Sequence, residues 1–221
     1  MKNIFLSFAI LIIATISANA QLKEGHLKYK IDFSTSNAEM EPMLSMMQGS
    51  TLELFFKEED TRTEMNMGAI MNISTITNAK TENYLMLMSG MMGNKAVKAS
   101  LSELEKANPE KPEFEVVFID ETKTIEGYLC KKAVMTDENG LDAVFWYTED
   151  IIVNKSGQHY LSEEIPGFPL EFEINQGEMK MHLVATLFEK SIGKKSKEIF
   201  SMDVPEGYEL IPIEQLASMG M

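Results

Sequence analysis

The chain has 221 residues, 44% of them hydrophobic, and carries a formal net charge of −14. That hydrophobic fraction excludes a disordered polymer, and an acidic balance with no extended Lys/Arg stripe excludes nucleic acid or an anionic membrane surface as partner. A single cysteine, Cys130, excludes an internal disulfide, so stability has to come from a packed core.

The first twenty residues read as a signal peptide. Lys2 precedes the apolar run Ile4 to Ile16, broken only by Ser7 and Thr15, which is too short to span a bilayer. Ser17-Ala18-Asn19-Ala20 then offers small residues where a signal peptidase reads, so cleavage before Gln21 is expected and the protein is placed in the periplasm or outside the cell. With no cysteine near that site, a lipid anchor is not expected. Residues 21–221 are expected to form one domain, one charge unit more negative once Lys2 is removed.

Alternation of period two dominates this domain. His26 to Phe33 sets Leu27, Tyr29, Ile31 and Phe33 against Lys28, Lys30 and Asp32, a strand with one wet face. Asn37 can cap a helix that puts Met40, Met43, Leu44 and Met47 on one face, with Pro42 in its first turns and Gly49 to end it. Strands are expected at Thr51 to Lys57, Thr61 to Met67, Ile73 to Asn78 and Asn83 to Met88. Ser100-Leu101-Ser102-Glu103 has capping-box spacing, and Asn108-Pro109 stops a short helix at Ala107. Further strands are expected at Phe114 to Ile119 and Thr122 to Ile125. Tyr128 to Met135 and Leu141 to Thr148 flank Asn139-Gly140, a hairpin turn signal. Phe168 to Ile174 turns through Asn175-Gln176-Gly177 into Glu178 to Glu189. These elements predict an α+β fold, mainly antiparallel β: a single strongly curved sheet wrapped around one or two helices, which is the economical way to bury its apolar face.

The segments Ile125-Glu126-Gly127-Tyr128-Leu129-Cys130-Lys131-Lys132-Ala133, Val144-Phe145-Trp146-Tyr147-Thr148 and Val204-Pro205-Glu206-Gly207-Tyr208 resemble the secreted family called domain of unknown function 4412. They are also similar to the neighbouring GLPGLI family, which shares the Gly-Tyr-x-Cys-Lys-Lys signature. Both families resemble, at fold level, the half-open β-barrel of the LolA-like lipoprotein carriers. The resemblance implies a concave apolar surface lidded by helices and able to hold an acyl chain.

The chain carries 18 methionines, many of them clustered. Met40, Met43, Met46 and Met47 lie in the first helix; Met65, Met67 and Met71 follow, then Met86, Met88, Met91 and Met92. Thioethers make adaptable surfaces for ligands of variable shape and are equally ordinary core filler. Met40, Met43, Leu44, Met47, Met86, Met88, Met179 and Met181 are the candidate residues for a lipid or other apolar ligand. An alternative takes Met40, Met43, Met46 and Met47 as soft ligands for Cu(I), completed by His26, His159 or His182. A third class is a structural or partner-binding envelope protein. No cofactor is expected in the principal reading.

Enzyme readings fare worse. Cys130 has no histidine near it in sequence and reads as a small buried hydrophobe. No Gly-x-Ser-x-Gly, His-Glu-x-x-His or glycine-rich phosphate loop occurs. Asp137-x-Asn139-Gly140 lacks the twelfth-position acid of a calcium loop, since Thr148 stands there. Glu171 and Glu173 alternate with apolar residues as a solvated face. The expectation is a non-catalytic, exported binding protein.

Overall fold

The computed structural model describes residues 22–91, 93–107, 114–137, 141–151, 153 and 164–218; the expected signal peptide and the Asn139-Gly140 turn lie outside them. Twelve strands form one open sheet in the order β12-β6-β5-β4-β3-β2-β1-β11-β10-β9-β8-β7. The strands are β1 Glu24–Thr35, β2 Thr51–Lys57, β3 Asp60–Asn66, β4 Met71–Asn78, β5 Asn83–Gly90, β6 Lys95–Ser100, β7 Phe114–Ile125, β8 Tyr128–Asp137, β9 Leu141–Thr148, β10 Phe168–Gln176, β11 Met179–Glu189 and β12 Glu209–Leu210. All neighbouring pairs are antiparallel except β12 against β6.

Strand alternation acts as the sequence requires. In β1, Leu27, Tyr29 and Ile31 are buried, while Lys28 pairs with Glu53 and Lys30 with Asp32 on the wet side. Phe114 to Ile125 is one strand, not two: the register slips between Ile119 and Thr122, so Asp120 and Glu121 bulge out of the ladder with β8. A charged bulge on an edge strand blunts it against further pairing. The strand β6, Lys95-Ala96-Val97-Lys98-Ala99-Ser100, carries small residues of low β propensity and gives no local signal of itself.

Among the described residues four short helices accompany the sheet: α1 Glu41–Met46, α2 Leu101–Ala107, α3 Ser196–Ile199 and α4 Glu214–Ser218. Asn37 caps the 3-10 turn that leads into α1 by accepting from the Glu39 N–H. The capping box of α2 forms as expected: Glu103 Oε2 accepts from the Ser100 N–H at 2.7 Å and the Glu103 N–H donates to Ser100 Oγ at 3.1 Å. Of these helices, α1, α2 and α3 bury none of their residues, and Leu216 of α4 packs on the sheet beside Met88 and Val97. Over β1, β2 and β8 to β11 the apolar face is filled by its own side chains, Leu54, Phe145, Phe172 and Leu183 among them, and by Ile151, Val153 and Ile165 from the β9–β10 connection. Connector residues take the interior place that the sequence offered to helices.

The C-terminal segment acts as a strap around the β6 edge. Met202, Val204 and Tyr208 pack on Ile76, Leu85, Leu87 and Ala96 on one face of the sheet. After β12, Ile211, Ile213 and Leu216 pack on Ile73, Met86, Met88 and Val97 on the other. Strand β5 is thereby covered on both faces, which accounts for its unbroken apolar run from Tyr84 to Met88.

Candidate functional site: a methionine-lined cavity at one end of the sheet

In an antiparallel meander every second connection falls at the same end. Segment α1, the β3–β4 turn and the β5–β6 turn therefore come together beside the start of β11. Their backbones touch: the Ala69 N–H donates to the Met46 carbonyl at 2.9 Å, and the Met91 N–H donates to the Ile70 carbonyl at 3.3 Å. The approach is close enough that a Cβ on Gly90, whose φ is +152°, would lie 2.4 Å from the Ile70 carbonyl oxygen.

Beside these turns is a cavity of about 290 Å³ walled by Ile70, Met71, Met88, Gly90 and Met91. Met88 is buried against the strap, whereas Met91 is 74% exposed at the opening. The size is at the lower end of small-ligand pockets, roughly 300 Å³ and upward. Lys95 also lines the cavity, and it has no ion-pair partner among the described residues.

Of the sequence candidates, only Met88 lines this cavity. Met86 packs beside it in the same cluster. The α1 residues lie at the same end of the sheet but do not share one buried face: Met47 is buried, Leu44 and Met40 are half-buried, and Met43 is 41% exposed. The reason is that α1 spans a single short turn between β1 and β2 and meets only the sheet's end. Met179 pairs with Thr35 across the β1–β11 ladder, and Met181 packs on the central core. Met71 and Met91 belong to the methionine clusters of the sequence; Ile70, Gly90, Gly93 and Lys95 carry no signal there, because only the two stacked turns bring them together.

The four helix thioethers have separate environments. Met40 Sδ accepts from Thr35 Oγ1 at 3.9 Å, Met47 is buried, and Met43 and Met46 face solvent. His26 is held between Glu53 at 2.9 Å and Glu189 at 3.2 Å, His182 lies 3.1 Å from Glu171, and His159 lies outside the described residues. Among the described residues, no three His, Cys, Asp or Glu side chains are grouped to hold a metal ion, and no helix is long and apolar enough to cross a membrane.

Cys130 is fully buried, and desolvation pushes its thiol up to about 11 despite a backbone hydrogen bond from Ile125 and the nearby Lys123. The folded value lies above that of a free thiol, so this group's contribution to stability is whole at neutral pH and is lost as pH rises through about 11. Folded protein treated with iodoacetamide at neutral pH is expected to stay unmodified in an intact-mass measurement, and urea-unfolded protein to gain one adduct. Rapid labelling of the folded form would show that Cys130 is not sealed.

The fold and cavity define an open antiparallel sheet protein with an apolar end site. The chain belongs to the family described as a domain of unknown function (DUF4412), whose model matches residues 37–164, more than half of the chain and inclusive of every residue lining the cavity. No curated protein matches it. Among solved structures, PNGF-II is similar at 16% identity and a TM-score of 0.51, over 89% of this chain and 32% of that one. The chain thus spans about a third of the length of PNGF-II, and the likeness is one of fold. The Mycobacterium tuberculosis lipoprotein LppX is 9% identical with a TM-score of 0.36, covering 76% of this chain and 88% of its own. A LolA superfamily protein from Nitrosomonas europaea is 8% identical with a TM-score of 0.21, covering 84% and 89%.

Proposed function

We propose that this is an exported, non-catalytic binding protein that holds one apolar chain bearing an anionic head, a fatty acid or similar amphiphile, in the cavity at the α1 end of the sheet. The observation that carries the proposal is the cavity itself: Ile70, Met71, Met88 and Met91 supply apolar walls, and Lys95, which lines it too, is the cation we assign to the carboxylate. The central apolar face is already filled by core residues, so the end cavity replaces the wide concave surface as the place of binding. The export part of the proposal rests on Lys2, the apolar run Ile4 to Ile16 and the Ala18-x-Ala20 cleavage signal.

The test is titration with the fluorescent fatty acid cis-parinaric acid. Saturable binding in the range of about 1 μM is expected, and Met91→Asp at the exposed mouth should weaken it about tenfold or more, as loss of one buried methionine contact implies. Absence of saturable binding, or unchanged affinity in a Met91→Asp protein with unaltered melting, overturns the proposal.

A further inference from the structure

A second cavity, of about 410 Å³, lies between the strap and strands β2 to β5. Its floor is a row of direct cross-strand neighbours, Glu53, Glu64 and Ser74, followed by the buried Leu87. Tyr208 of the strap forms a wall. That wall is pinned where Arg62 Nη1 donates to the Ile199 carbonyl at 2.9 Å.

Two carboxylates set opposite each other across a ladder repel unless compensated. Here each has its own cation. Burial alone would raise the Glu53 carboxyl, but hydrogen bonds from Lys28 at 2.8 Å and His26 at 2.9 Å outweigh it and hold the group below the ordinary carboxylate range. Glu64 Oε1 lies 2.6 Å from Arg62 Nε, an ion pair in which the N–H is not aligned for a hydrogen bond. The cavity is therefore rich in fixed polar groups and poor in net charge. Glu64 and Asn72 both line the cavity, the Asn72 amide oriented by the bond its Oδ1 accepts from Asn66 at 2.6 Å. Ser74 Oγ is shielded from solvent and has no hydrogen-bond partner among the described residues. A buried hydroxyl without a partner costs free energy until something supplies one.

We infer that this cavity binds a neutral polyhydroxylated ligand, a sugar ring, whose hydroxyls each donate and accept and whose C–H face packs on Tyr208. Charge compensation at both carboxylates disfavours a free amine or an anion. The inference stands apart from the fatty-acid proposal, although Ser89 lines both cavities.

The experiment is ligand-detected NMR and calorimetry on the full chain with methyl β-D-glucoside and trehalose at up to about 50 mM, with putrescine and inorganic phosphate as charged controls. Saturable binding of a sugar and of neither control is expected. Asn72→Leu, on an exposed side chain away from the core, should lower affinity about tenfold. No saturation by either sugar, unchanged affinity in Asn72→Leu, or preference for putrescine or phosphate overturns the inference.

Discussion

Phe145→Ala is expected to destabilise the protein by about 3–5 kcal/mol, the usual cost of deleting a buried phenyl ring. Phe145 is fully buried, stacks on Phe172 with centroids 5.7 Å apart, and lies between Ala133 and Phe172 across β8 and β10. Phe172 in turn meets the edge of Tyr29, whose hydroxyl donates to the Pro169 carbonyl at 2.7 Å. The void therefore opens where β1, β9 and β10 share one cluster. For a chain of this size the loss corresponds to a fall of roughly 6–20 °C in Tm by circular dichroism. Parinaric acid binding measured well below that Tm should be unchanged, because the apolar cavity belongs to a different cluster under the strap. A shift of only a degree or two would mean that the aromatic centre is not closely packed.

Gly90→Ala is expected to damage both stability and binding. A methyl group there meets the Ile70 carbonyl oxygen at 2.4 Å and Met71 Cα at 2.8 Å, both backbone atoms that no rotamer change can move. The residue also has φ of +152°, which an alanine adopts only with strain. Together the clash and the strain cost about 2–5 kcal/mol. Relief comes only by pushing the β5–β6 turn away from the β3–β4 turn, and those two turns are the cavity wall. Urea titration should report the stability loss, and parinaric acid affinity should fall even in the fraction that remains folded. Full affinity in Gly90→Ala would place the ligand elsewhere.

The parts legible in the sequence were those set by neighbours along the chain. Lys28 and Lys30 alternate with Leu27, Tyr29 and Ile31, and no partner strand is needed to read which face is wet. Ser100 and Glu103 close their capping box within a single turn. Gly177, at φ +60°, marks the β10–β11 turn by its own backbone freedom. Strand β6 was hidden because alanine and lysine side chains say little about pairing; it is a strand because β5 and the strap lie on either side of it. The helix expected after Asn37 forms as α1 but leaves Met43 exposed, since a face of methionines states that burial is favourable and not that a surface is there to receive it.

By itself, then, the sequence determined most of the strands, though not β6 or β12, the buried state of Cys130 and the membership of one antiparallel sheet. These follow from side-chain period and local backbone preference, which act over a few residues. Only the tertiary structure decided that connector residues and not helices fill the central apolar face, and that β5 is covered on both sides by the strap. It also decided that Ile70, Met88, Met91 and Lys95 meet around one cavity, and that Glu53, Glu64, Ser74 and Tyr208 meet around another. Those groupings depend on which turns share an end and which residues stand opposite in register, relations between segments far apart in the chain.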